Sequence, residues 1–232
     1  MKKFAVLIAL LLVPTFAFAF GSAPKPPVSG STSGGASSAA YPYLIDNFDD
    51  GDFTRAPEWY KFDAITPVVE KAVKYQDGDM AVVAKLGGNV LHVAGHAANW
   101  YAGGMGVYLG MDATKYKSLE MDVYGNGEGS GQMKIELYDN DSGSYDIEVD
   151  KNWVPTKDDL WVYELNVNWK GWKHVSIPFA SFSLSNPGRG NGVWDPAQVN
   201  GSGGLIKMQL IYLGNKQVSD INLCLANIML GN

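Results

Sequence analysis

The stretch MKIELYDNDSG, residues 133–143, decides how the chain is to be read. Met133, Ile135 and Leu137 alternate with Lys134, Glu136 and Tyr138, and a period of two sends the two sets to opposite faces of a strand. Asp139-Asn140-Asp141-Ser142-Gly143 then supplies a turn. The pattern repeats outward in both directions. Leu119, Met121 and Val123 alternate with Glu120, Asp122 and Tyr124, ahead of Gly125-Asn126-Gly127. Tyr145, Ile147 and Val149 alternate with Asp146, Glu148 and Asp150. Tyr163, Leu165, Val167 and Trp169 alternate with Glu164, Asn166 and Asn168. Further turns fall at Lys170-Gly171 and at Asn186-Pro187-Gly188-Arg189-Gly190. Residues 61–74 come nearest to a helical pattern, but Pro67 and the β-branched Ile65, Val68 and Val69 oppose it. Many short strands between Gly-rich turns predict an all-β fold, an antiparallel β-sandwich.

The first forty residues read differently. Lys2 and Lys3 precede an apolar run over residues 4–18, and Ala17-Phe18-Ala19 has the small-x-small pattern of a cleavage site. The run falls short of the ~20 residues a spanning helix needs. Residues 1–19 are therefore expected to be a signal peptide, and the protein to be secreted or periplasmic. Residues 20–40, rich in Pro, Ser, Gly and Ala, read as a linker. Residues 41–232 form one domain's length of chain, with all seven Trp. Cys224 is the single cysteine, so an intramolecular disulfide is excluded. The chain carries 24 acidic and 18 basic residues, a net charge of −6. That balance opposes binding to nucleic acid or anionic lipid and leaves neutral polymers as partners.

Three stretches carry a resemblance. They are Leu44-Ile45-Asp46-Asn47-Phe48-Asp49-Asp50-Gly51, then Gly171-Trp172-Lys173-His174-Val175-Ser176-Ile177-Pro178-Phe179-Ala180-Ser181-Phe182, then the closing Ser219-Asp220-Ile221-Asn222-Leu223-Cys224-Leu225-Ala226-Asn227-Ile228-Met229-Leu230. Together they resemble the galactose-binding-like jelly rolls, nearest to family 11 carbohydrate-binding modules and to complex I intermediate-associated protein 30 domains. The resemblance spans residues 41–232. It implies two packed antiparallel sheets, glycan binding without hydrolysis on a concave sheet, and core roles for Trp172, Phe179 and Phe182. It also implies a structural calcium near Asp49. Ala226, however, stands where relatives often place a calcium-binding aspartate.

The residues can be tested against these chemistries. Glu120 and Asp122 share a strand face, which suggests a glycosidase pair. Tyr124 occupies the place where a second glutamate would complete a Glu-x-Asp-x-Glu strand, and Glu128 lies in the following turn. His92 and His96 have a metal-ligand spacing for a helix, but Gly95 and the strand-like residues 90–94 oppose a helix there. Glycan binding needs rings for the apolar faces of sugars and polar groups for their hydroxyls. Tyr124, Tyr138, Asp122, Glu136, Gln209, Trp100 and Tyr101 are the candidate ligand-binding residues. The expected function is an exported, non-catalytic module binding a β-glucan-like polysaccharide or oligosaccharide. The alternative is an envelope structural or assembly protein with a protein partner, and the third reading is a glycoside hydrolase.

Overall fold

The computed structural model describes residues 41–199 and 201–232. The expected signal peptide and linker lie outside the described residues. Twelve strands follow in chain order: β1 Tyr43–Asp46, β2 Trp59–Asp63, β3 Ile65–Lys71, β4 Asn89–Ala98, β5 Tyr101–Met111, β6 Ser118–Asn126, β7 Gln132–Asn140, β8 Asp159–Asn166, β9 Lys170–Pro178, β10 Ser183–Leu184, β11 Gly204–Leu213 and β12 Val218–Gly231. The only α-helix among the described residues is the single turn α1, Met80–Val83. All pairings between strands are antiparallel.

The strands form two layers. The first runs β10-β8-β7-β11-β5, with β2 on the outer edge of β5. The second runs β4-β12-β6-β9, with β3 on β4 and β1 on the end of β12. A single pair, Ala98 with Tyr101, joins the layers through the β4–β5 turn. The inward sets of both layers meet in one core. Met133, Ile135 and Leu137 of β7 and Leu119, Met121 and Val123 of β6 all have no exposed surface. Leu223 and Leu225 of β12 and Met208 and Leu210 of β11 join them. This is the all-β sandwich that the period of two predicts.

Each layer also has an excursion lying against its outer face. Residues 72–88 cover the second layer, where Ala72, Val82, Val90, Trp172, Cys224 and Ala226 are buried together. Close backbone contact clamps this excursion to β9. Trp172 N donates to Asp77 O, and Asp79 N donates to Trp172 O. Gly78 (φ +105) and Gly171 (φ +78) allow the approach, since a Cβ on Gly78 would fall 2.0 Å from Trp172 N. Trp172, Phe179 and Phe182 are all buried, Phe179 and Phe182 in the main core and Trp172 under this excursion.

Residues 141–158 lie against the first layer and correct one expectation. The alternation over residues 145–150 does not form a strand; a lone bridge between Val149 and Pro155 is its only ladder. Side-chain bonds hold the backbone in a loop instead. Asp158 Oδ1 accepts from Asp141 N, Ser142 N and Asn140 Nδ2, and Asn140 Nδ2 also reaches Ser144 O. Such local bonds compete with sheet pairing. The alternation still has a use, because Ile147 packs on Tyr138, Leu160 and Ile206.

Asp46 ties the opening turn to the core. Its Oδ2 accepts from Trp59 Nε1 at 2.9 Å and its Oδ1 from Phe48 N at 2.7 Å. Burial pushes its pKa up to about 6 despite those two bonds. A carboxyl raised in the folded state favours folding at low pH, and that contribution is lost as pH rises through 6. The stability advantage of the wild type over Asp46→Asn should therefore shrink by roughly 2–3 kcal/mol between pH 4 and pH 7. Urea unfolding of both proteins across that range checks this; a constant difference would contradict it.

Candidate functional site

The outer face of the first layer is ordered by cross-strand register. One row runs Tyr60, Gly106, Gln209, Glu136 across β2, β5, β11 and β7. The next runs Phe62, Gly104, Ile211, Lys134, and on the other side lie Tyr108, Lys207 and Tyr138. Glycine in the middle of two rows is the key local choice. A Cβ on Gly106 would meet Tyr60 Oη at 2.5 Å, and one on Gly104 would meet Phe62 Cζ at 2.4 Å. The β2 rings therefore lie across β5, where any other residue would displace them.

Tyr60 reaches β11 by this route, and Tyr60 Oη donates to Gln209 Oε1 at 2.7 Å. Gln209 Nε2 donates to Glu136 Oε2 at 2.9 Å and to Tyr138 Oη at 2.8 Å. Lys134 Nζ sits 2.7 Å from Glu136 Oε1. Lys207 Nζ lies 3.9 Å from the centre of the Tyr138 ring, within cation–π range. Burial lowers the Lys207 pKa to about 8, against the pull of Glu136. Glu136 and Lys207 are 6% and 8% exposed, so this outward face holds charged groups fixed in place.

Rings border the network. Phe62 stacks beside Tyr60 at 6.3 Å, and Tyr60 lies 6.0 Å from Tyr108, which is 48% exposed. Tyr101 Oη donates to Asp63 at the end of β2. Burial raises the Tyr101 and Tyr60 hydroxyls above the usual range, with Glu136 adding to both. The face is open. Two shallow hollows, of about 370 and 420 Å³, lie elsewhere, at the β8–β10 edge and beside residues 71–88.

The seven expected ligand residues are divided by the fold. Glu136, Tyr138, Gln209 and Tyr101 share the face just described. Tyr138 is buried beneath Ile147, so its ring is covered and its hydroxyl serves Gln209. Trp100 is half exposed in the β4–β5 turn, where Asn99 and Trp100 both have positive φ. Asp122 and Tyr124 lie on the other layer, so the tyrosines expected to share a groove stand on different sheets. Tyr124 packs edge-on between Tyr75 and Trp172, at 5.1 and 5.5 Å, under the 72–88 excursion. Asp122 is buried and bonds His174 Nδ1 and Asn227 Nδ2, each at 2.8 Å. Glu120 accepts from Ser118 Oγ. Both carboxylates of the hydrolase reading are thus engaged on the second layer.

Tyr60, Phe62, Tyr108 and Lys207 complete the face beyond the expected set. The alternation of Gly104, Gly106 and Tyr108 against Met105 and Val107 is the signal that carries it. Glycines on the outward side of a strand mark a place where something lies close.

Asp49 Oδ1 accepts from Asn89 N and Oδ2 from Asn47 Nδ2. Ala226 is buried against apolar neighbours. Among the described residues no three His, Cys, Asp or Glu side chains are grouped so as to hold a metal ion. Asp49 is a loop anchor, and the residues at Asp49 and Ala226 do not fit the implied ion.

Removing the hub of the polar network leaves buried partners unpaired. Gln209→Leu should lower stability by about 1–3 kcal/mol, since Tyr60, Tyr138 and Glu136 each lose a bond. Denaturant unfolding measures this; an unchanged midpoint would show that water replaces the amide without cost.

Comparison with protein-family models and with curated protein sequences finds no match. Solved structures do match in fold. The family 11 carbohydrate-binding module of a cellulosomal cellulase of Clostridium thermocellum superposes with a TM-score of 0.50 at 18% identity, over 84% of this chain and 96% of that one. The family 11 module from the same organism in complex with a β-1,3-1,4-mixed-linked tetrasaccharide gives a TM-score of 0.51 at 16% identity, over 84% and 98%. The chain has the jelly-roll fold of these carbohydrate-binding modules.

Proposed function

We propose that the protein is an exported, non-catalytic carbohydrate-binding module. It takes a neutral β-glucan-like polysaccharide or oligosaccharide on the outer face of the first layer. The observation that carries this reading is the joining of a ring strip, Phe62, Tyr60 and Tyr108, to a fixed polar network, Gln209, Glu136 and Lys134. Rings cover the apolar faces of pyranoses, while the amide, carboxylate and ammonium meet hydroxyls without reorganising. A ring strip that ends in the half-exposed Tyr108 suits a chain that extends beyond the contact. The similar module in complex with a mixed-linked tetrasaccharide supports a glucan as the first ligand to try.

Non-catalytic binding is supported by the chemistry of the carboxylates. Glu136 is bridged to Lys134 and Gln209, and among the described residues no second carboxylate bonds into that network. Asp122 and Glu120 lie on the second layer with their own partners. A hydrolase needs two carboxyls flanking one scissile bond. The net charge of −6 accords with a neutral ligand.

Affinity electrophoresis in gels containing mixed-linked, β-1,3 or β-1,4 glucan tests the proposal. Tyr108→Ala should weaken binding about tenfold or more at an unchanged melting temperature, as expected for an exposed aromatic anchor. Tyr124→Ala should lower the melting temperature and leave the affinity of the folded protein intact. No retardation on any of these glucans, or equal affinity of Tyr108→Ala and wild type, would overturn the assignment.

A further inference from the structure

Lys207 stands on β11 between two tyrosines, opposite Tyr108 of β5 and Tyr138 of β7. It is 8% exposed. Its Nζ lies 3.9 Å from the centre of the Tyr138 ring and 5.9 Å from that of Tyr108. An ammonium carries three N–H donors and is seldom buried unpaired. Yet among the described residues Lys207 Nζ has neither a hydrogen bond nor an ion pair. Glu136 is the carboxylate whose charge acts on it. That carboxylate is already occupied, with Lys134 on Oε1 and Gln209 and Tyr138 donating to Oε2.

The rings answer the charge of the ammonium but not its N–H groups. A tyrosine face attracts a cation without replacing the acceptors that water provides. The chain therefore holds a donor in place beside Tyr108, the half-exposed ring that ends the strip. A pyranose laid on that ring turns its apolar face to the ring and carries its equatorial hydroxyls around the margin. Those hydroxyl oxygens are the acceptors that Lys207 lacks.

We infer that Lys207 is a specificity-determining residue of this face, its ammonium donating to a hydroxyl of the sugar that lies on Tyr108, and that tight binding requires the ammonium. This rests on the reading of the face as a glycan site. Burial lowers the Lys207 pKa to about 8, so the ammonium is lost within an accessible range. The sign follows from the charged form being the donor: affinity is full below pH 8 and falls as pH rises through it. The groups facing Lys207 are Tyr108, Tyr138, Tyr60 and the Lys134–Glu136 pair, with Asp146 acting on Tyr108. Burial raises the hydroxyls of all three tyrosines, which keeps them neutral through this change.

The full-length protein is titrated calorimetrically with soluble mixed-linked β-1,3-1,4-glucan at steps from pH 6.5 to 9.5. The wild-type dissociation constant should rise about tenfold between pH 7 and pH 9.5. Lys207→Met keeps the apolar stem against Tyr138 and removes the charge. It should bind about tenfold more weakly at pH 7 and show a flat profile. Should Lys207→Met not fold, Lys207→Gln replaces it, with the same flat profile expected. Asp139, pushed up to about 8 at another place on β7, titrates in the same window but is unchanged in both variants. A pH dependence that persists in the variants, or equal affinity of variant and wild type at pH 7, would overturn the inference and leave the glycan reading standing. No heat of binding from the wild type at any pH would overturn the two together.

Discussion

The absence of side chains at Gly104 and Gly106 is the constraint on which the functional face depends. These glycines sit between the edge strand β2 and the central strand β11, and they let two rings lie flat across β5. Without that space Tyr60 could not span a strand to bond Gln209. Gln209 in turn fixes Glu136 and Tyr138, and Glu136 holds Lys134. A weak point in β propensity is thus exchanged for a rigid arrangement of polar groups and rings.

The two excursions decide which outer face is available. Residues 72–88 bury Trp172, Cys224 and Ala226 on the second layer, so that face is a minor core. Residues 141–158 cover Tyr138, Leu160 and Ile206 but stop short of Tyr108, which remains half exposed. The uncovered part of the first layer is then the side where β2, β5 and β11 meet. An outward face with buried charges and exposed rings side by side has the composition of a recognition surface.

The fold was legible because its signal is local. Met133, Ile135 and Leu137, or Leu119, Met121 and Val123, declare their face within a few residues, and packing follows that pattern. The site was less legible because it depends on which strands become neighbours. Tyr124 and Tyr138 look equivalent in sequence, each closing an alternating run, yet β6 and β7 lie in different layers. Tyr60 and Tyr108 carry little signal alone and acquire meaning only when β2 pairs with β5 at Gly106. The 145–150 alternation misleads for the opposite reason. A period of two predicts a strand only where a partner edge is free, and here Asp158 and Asn140 hold the backbone of residues 141–144 in a loop just ahead of the segment.

Two groups of buried charge show the difference between a finished and an unfinished polar site. Glu136 has Lys134 on one oxygen and Gln209 with Tyr138 on the other, so the chain itself satisfies it. Asp139 and Asp159, directly opposed at the rim of the core, accept from backbone N–H groups of the 190–195 loop, and burial raises both carboxyls above the usual carboxylate range. Burying a carboxylate costs several kcal/mol unless it is paired or neutralised. The first arrangement can stay as it is and present itself to a ligand. The second is relieved by a proton, since burial pushes Asp139 up to about 8.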